Sequence, residues 1–313
     1  MTLLGRVIRS GVVEAEHHGA IAVVAPDGRL IASMGDIDRH FYGRSSLKPF
    51  QARASLDLGA LVTGPALAVA CASHGALPVH VAHVRSMLAR VGLTEAALLT
   101  PATWPTSEDQ GRRYFAAGQT HPLPIWHGCS GKHAAMLQAC VVAGFPTGSY
   151  LSFDHPLQGQ VRHRLAEALG HDLSDPAIDG CGAPVYEVSV RSMARGFARL
   201  AVHPEYQDIW TAMHRYPALV GENPRADQLT ATVAEAAAKI GAEGLIGVGV
   251  RSQFGIAIKS WDGSIRGIEA GLVGTMEQLG LLNGSSRRLL RERLVVVGGG
   301  KPQGHIEPSV ELV

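Results

Sequence analysis

The sequence predicts an α/β protein of the layered α+β kind, in which strands near both ends of the chain share an antiparallel sheet and the intervening helices pack on it. Three observations predict this. Residues 19–34, GAIAVVAPDGRLIASM, set two apolar runs either side of Ala25-Pro26-Asp27-Gly28, the composition of a hairpin turn. Residues 244–268 repeat the style with GLIGVGV and FGIAIKS, followed by the turn Trp261-Asp262-Gly263-Ser264 and the run Ile265-Arg266-Gly267-Ile268. Between these ends, apolar residues recur at helical spacing over 46–60, 78–91, 131–144, 156–169, 191–216 and 228–240. Without an internal repeat, a low-complexity tract or a clear linker, the 313 residues read as one two-lobed domain spanning 1–313.

Composition narrows the function. Hydrophobic residues make up 46% and charged residues 18%, which suits an enzyme-like globule and not a disordered chain. The formal net charge is +1 with both signs mixed along the chain, so no basic stripe is available for nucleic acid or an anionic membrane. A small-molecule partner is expected. The N-terminus lacks a long apolar core and no stretch of 18 apolar residues follows, which reads as cytoplasmic. Cys71, Cys129, Cys140 and Cys181 are too scattered for a disulfide framework, leaving free thiols or metal ligands.

Of 28 basic residues only five are lysine: Lys48, Lys132, Lys239, Lys259 and Lys301. A chain that writes arginine wherever a positive charge suffices keeps lysine for a task guanidinium cannot perform, such as losing a proton. Lys239 and Lys301 read as solvated ends, which leaves three lysines in motif-like contexts.

In Arg44-Ser45-Ser46-Leu47-Lys48-Pro49-Phe50, a helix starting at Ser45 or Ser46 puts Pro49 in its first turn. Ser45 and Lys48 then share a face, and a desolvated lysine can act as base toward a serine, as in Ser-x-x-Lys enzymes. Cys71-Ala72-Ser73-His74-Gly75 ends an apolar run and supplies either a second hydroxyl or a plain cap. Trp126-His127-Gly128-Cys129-Ser130-Gly131-Lys132-His133 is no Walker loop, because the glycine spacing is wrong and His133 stands where Ser or Thr is required. It concentrates Cys, Ser, Lys and His on a turn before a helix, where a thiolate could bind metal or attack a carbonyl. Cys140 reads as a small core hydrophobe.

Asp179-Gly180-Cys181-Gly182 is a tight turn; were Cys129 and Cys181 brought together beside a nitrogen donor, the group would suit zinc or another thiophilic ion. In Phe254-Gly255-Ile256-Ala257-Ile258-Lys259, period-two alternation places Lys259 with Gly255 and Ala257, an open approach to its amine. Loops 101–108 and 120–128, rich in Pro and Thr, adjoin these motifs.

Taken in order, these segments resemble the bacterial, rhizobial-type L-asparaginase II family, which has a fold like serine β-lactamases and penicillin-binding proteins. The matching pieces run from Val13-Glu14 through Arg44–Gln51, Cys71–His74, Cys129–His133, His155-Pro156 and Asp179–Gly182 to Gly241-Ala242-Glu243-Gly244 and Lys259. The resemblance implies hydrolysis of L-asparagine to L-aspartate and ammonia. It implies two Ser–Lys pairs, Ser45 with Lys48 and Ser73 with Lys259, and a metal, usually zinc, on Cys129, Lys132 and Cys181, with no organic cofactor. Ser45 is the expected nucleophile and Lys48 its base, with Arg44, Asp179, Ser130 and His133 as substrate contacts and a homodimer as the expected assembly.

Two departures from the family pattern stand out. Gly128 occupies a position where Asn is usual, and a Gly-Thr-rich stretch is replaced by Gly221-Glu222-Asn223-Pro224-Arg225-Ala226-Asp227. Two rival readings are an amidohydrolase or peptidase using Cys129 as nucleophile with His127 or His133, and a non-catalytic sensor acylated on serine.

Overall fold

The computed structural model describes residues 2–222 and 225–313. Asn223 and Pro224 of the departing stretch lie outside the described residues. The chain forms two compact units: residues 1–46, 188–207 and 224–313 make the first, and residues 47–187 and 208–223 the second.

The first unit is built on an eight-stranded sheet: β1 (Thr2–Arg9), β2 (Val12–Val24), β3 (Leu30–Met34), β4 (Ala236–Gly241), β5 (Leu245–Val250), β6 (Phe254–Ser260), β7 (Val295–Gly298) and β8 (Lys301–Pro308). The order is β7-β8-β1-β2-β6-β5-β4, with β3 paired to β2 off this path. Every pairing is antiparallel, and β2 from one end of the chain lies directly against β6 from the other. The expected sheet of N- and C-terminal strands is the one observed. Its first hairpin closes through Ala25-Pro26-Asp27-Gly28, where Ala25 N–H donates to Arg29 and Gly28 N–H to Ala25.

Alternation along β6 sets two layers. Ile256 and Ile258 enter the main apolar core, which includes Ile268 and Leu272 of the helix Ile265–Gln278. On the opposite side small residues admit a second helix, Val190–Val202, at backbone distance. A Cβ on Gly255 would lie 2.0 Å from the Ala194 carbonyl, and one on Gly247 would lie 1.9 Å from the Phe197 ring. The small residues preceding Lys259 on β6 therefore serve helix packing and not the open approach expected from sequence.

In the second unit the helix Ser130–Ala143 is central, with Ser130 through Cys140 all buried. It packs among Lys48–Asp57, Gly64–Ala70, Pro78–Ala89 and Pro156–Leu169. Gly131 faces the Val69 carbonyl so closely that a Cβ would come within 2.3 Å of it. That approach brings the Cys129–Lys132 turn to the end of helix Gly64–Ala70, where Cys71–Gly75 begins.

Four expectations are corrected. The 228–240 segment is not one helix: Ala226–Val233 is helical, and Ala236–Gly241 is a fully buried strand whose pairing with β5 overrides the helical preference of its alanines. The run Ile265–Ile268 opens a helix capped by the Ser264 hydroxyl instead of continuing a hairpin. The 191–216 segment breaks at His203-Pro204 into Val190–Val202 and Gln207–Arg215. Lys239, read as a solvated end, is fully buried with its amine donating to the Ile240 carbonyl at 2.7 Å and 3.8 Å from the Asp227 carboxylate. Among the described residues no helix is long and apolar enough to cross a membrane.

Candidate functional site

Within the second unit the chemistry gathers around Lys48, the first residue of its α-helix and 1% exposed. A 3-10 turn, Arg44–Leu47, leads into this helix, and Pro49 sits in the first turn, where a missing N–H is harmless. The Lys48 amine meets three groups: the Ala72 carbonyl, the Gly128 carbonyl at 3.3 Å and the Ser73 hydroxyl at 3.0 Å. Burial pulls the pKa of this amine below its ordinary value, and the charge of Lys132 adds to that, against the opposing pull of Cys129 and Cys181.

The donor count gives the contact its meaning. An ammonium has three N–H groups and satisfies all three oxygens. A neutral amine has two, and carbonyls only accept, so its lone pair is left facing the Ser73 O–H. Loss of one proton thus converts Lys48 from a donor to Ser73 into an acceptor from it.

The turn bearing Ser73 is held from several sides. Ser73 N–H donates to Val220 O at 3.3 Å, and His74 N–H to Gly128 O at 3.2 Å. Burial, with His80 and Lys48 nearby, keeps the His74 ring neutral. Its Nδ1 accepts from Ala76 N–H at 3.2 Å, so Nε2–H donates to Ser130 Oγ at 3.0 Å, and that hydroxyl donates to Ile125 O at 2.8 Å. Ala76 adopts φ +61°, a left-handed conformation unusual for alanine, and Tyr114 OH donates to its carbonyl at 3.0 Å. Ser130 is consequently fully buried and engaged on both sides.

Beside this turn lie the two thiols, both buried and packed in one small cluster with Ala183. The Cys181 thiol donates to Cys129, which, despite burial, holds the Cys129 thiol well below its usual pKa together with the Lys48 and Lys132 charges. The same hydrogen bond and burial push Cys181 up. The Lys132 amine is 3.2 Å from Cys181 Sγ; burial pulls it down, but Cys181, Cys129 and Asp179 prevail and keep it charged. The Asp179 carboxylate accepts from Gly180 N–H at 2.8 Å and stands 3.9 Å from Cys181 Sγ. His133, kept neutral by burial above all, accepts at Nδ1 from Tyr150 OH at 2.7 Å, because Leu99 N–H already donates to that phenol.

Within the first unit, two further sequence candidates meet at one end of the sheet. Gly241 and Lys259 both pair with Leu245, and a Cβ on Gly241 would lie 2.8 Å from Ser46 Oγ, so the Gly43–Ser46 turn with Ser45 rests on that end. Ser46 Oγ anchors the turn by donating to Lys239 O at 3.1 Å. Arg44, next to Ser45, has φ +46°, again a left-handed conformation at a non-glycine residue. Lys259 is 6% exposed; its amine donates to Glu243 O at 2.7 Å and to Ser260 O, with Phe41 and Trp261 rings at 5.7 and 5.3 Å. Burial lowers its pKa against the pull of Glu243 and Asp262.

Sequence reasoning joined Ser45 to Lys48. The hydrogen bond seen for Lys48 is to Ser73, while Ser45 and Lys259 share the sheet end. Sequence also missed the His74–Ser130 and Tyr150–His133 supports, because their partners are 56 and 17 residues apart and no local pattern couples them.

The sequence profile described as L-asparaginase II matches residues 6–308. A search of curated proteins found no match. Among solved structures the chain is similar to Mglu in its native form, at TM-score 0.46 and 18% identity over 93% of this chain and 71% of that one. Over the glutamate form of Mglu it spans 61% of the other chain's length. It is also similar to a β-lactamase from Mycobacterium bovis, at TM-score 0.45 and 15% identity over 84% and 95% of the two chains. A Bacillus glutaminase matches at TM-score 0.38 and 14% identity, over 84% and 91%.

Proposed function

The chain belongs to the L-asparaginase II family, and from that premise we propose that it hydrolyses L-asparagine to L-aspartate and ammonia through a serine–lysine acyl-enzyme. Family membership makes it an amidohydrolase; the substrate and the mechanism are the proposal. One observation carries the mechanism: a buried amine of lowered pKa, Lys48, in hydrogen-bond contact with a serine hydroxyl, Ser73.

Neutral Lys48 removes the Ser73 proton as Oγ attacks the side-chain amide carbonyl, and backbone N–H groups steady the oxyanion. The protonated amine then returns that proton to the departing ammonia. Water, activated by the same base, releases L-aspartate from the acylated serine. Ala72 and Gly128 carbonyls aim the amine throughout. Ser130 and His133, buried with internal partners, support the turns, and Lys259, Arg44 and Asp179 are proposed to act on substrate charge and proton relay.

A second reading makes Ser45 the acylated residue with Ser73 as relay, favoured by the left-handed Arg44 beside it. Peptide mapping of the adduct trapped by a slow ester or β-lactam probe separates them. An adduct on Ser73 that vanishes in Ser73→Ala supports the first reading; one on Ser45 that persists in Ser73→Ala replaces it. An adduct on Cys129 refutes both.

The metal implied by the family finds a fitting donor set in two thiols in contact and an amine, Cys129, Cys181 and Lys132. Among the described residues no group of three or more His, Cys, Asp or Glu side chains could hold a metal, so the lysine nitrogen is needed as a donor. Bound zinc would supply positive charge and rigidity beside Ser73. Cys129 is the donor already inclined to give up its proton; Lys132 and Cys181 would have to release theirs. The reading extends to a cytoplasmic homodimer acting on a small amide, with neither nucleic acid nor membrane as partner.

A further inference from the structure

Glu222 stands in the stretch where the chain departs from its family's Gly-Thr-rich pattern, and it adjoins the turn bearing Ser73. Gly75, two residues past Ser73, faces the Glu222 carboxylate so closely that a Cβ would come within 1.6 Å of Oε1 and 2.4 Å of Oε2. Only glycine leaves that space. The two segments are also tied by backbone, since Ser73 N–H donates to Val220 O at 3.3 Å. The turn is fixed further by Ala76 at φ +61° and its bonds to His74 and Tyr114.

Resting on the asparaginase reading above, we infer that Glu222 is a specificity-determining residue whose carboxylate binds the α-ammonium of the amino-acid substrate. The chemistry fits an acidic group beside the turn that bears the reacting hydroxyl: an α-amino acid differs from the corresponding simple acid by one ammonium, and a carboxylate discriminates that difference by a charge-assisted hydrogen bond. Asp179, the candidate from sequence, accepts from Gly180 N–H and lies near Cys181 and Lys132, whereas Glu222 is an acidic group that adjoins the Ser73 turn itself.

The test is calorimetric binding of L-aspartate and of succinate, which lacks only the ammonium, to the wild type, Glu222→Gln and Gly75→Ala. The wild type is expected to prefer L-aspartate by about tenfold or more. Glu222→Gln, a near-isosteric change, is expected to lose that preference, and Gly75→Ala, which drives the carboxylate aside, to lose it too. A preference retained in Glu222→Gln, an equal loss on both ligands, or binding of neither by the wild type overturns the assignment. Ammonia release by the wild type is measured in parallel. Its absence would remove the asparaginase reading, while the aspartate–succinate contrast would still decide the role of Glu222.

Discussion

Lys48, Lys132, Lys239 and Lys259 are each at most 6% exposed, whereas Lys301 is exposed. Scarcity of lysine in an arginine-writing chain thus marks buried amines, and at two of them, Lys48 and Lys259, burial lowers the pKa, a loss of charge that guanidinium does not undergo. For Lys48 the consequence is a pH profile. Because burial lowers its pKa, the neutral base forms at a pH below the ordinary lysine range. The rate kcat/KM should therefore rise with pH and level off well before that range is reached; a limb that tracks an unshifted lysine would contradict the assignment.

The residue scale is also where sequence reading was least complete. Motif spacing identified Ser73, Lys48, Cys129, Lys132 and Cys181 as candidates. It paired Lys48 with its chain neighbour Ser45 and left the Ser73 contact unread, because contacts across 25 residues leave no local trace. Lys239 reads in sequence as a solvated end because its alanine neighbours imitate a helix end, whereas it is buried.

At the scale of elements, the hairpin at Asp27-Gly28, the strands at both ends and the helix 156–169 were legible, since period and turn chemistry are local signals. The strand β4 and the helix Ile265–Gln278 were not. Burial on both faces removes alternation from Ala236–Gly241, and tertiary pairing decides it.

The helix Ala226–Val233, which precedes that strand in the chain, carries a buried carboxylate. Asp227 is fully buried; burial pushes its carboxyl up, yet Arg225 and Lys239 hold it at about 2. A depressed carboxylate contributes stability that is present above its unfolded pKa and lost as pH falls through the folded one. The contribution, on the order of 2 kcal/mol, should disappear between about pH 4 and pH 2. Asp227→Ala strands Lys239 in the core and should cost about 3–5 kcal/mol in urea denaturation; a loss under 1 kcal/mol would refute the pairing. Gly255→Ala, whose Cβ meets the Ala194 carbonyl at 2.0 Å, should cost about 1–3 kcal/mol, and an unchanged midpoint would contradict that packing.

For the whole molecule, the family and a serine–lysine chemistry predict how activity and metal separate. With zinc held as proposed on Cys129, Lys132 and Cys181, chelation is expected to lower thermal stability and reduce turnover in part. Complete, metal-reversible loss of turnover, with Ser73→Ala and Ser45→Ala both still active, would instead assign the reaction to the metal.

The most direct measurement is ammonia release from L-asparagine, compared with L-glutamine, by the wild type and Lys48→Arg. The account predicts release by the wild type and a fall of about a thousandfold in kcat when guanidinium, which cannot give up its proton, replaces the amine. Release by Lys48→Arg within a few-fold of the wild type, or no release from either amide by the wild type, would contradict it.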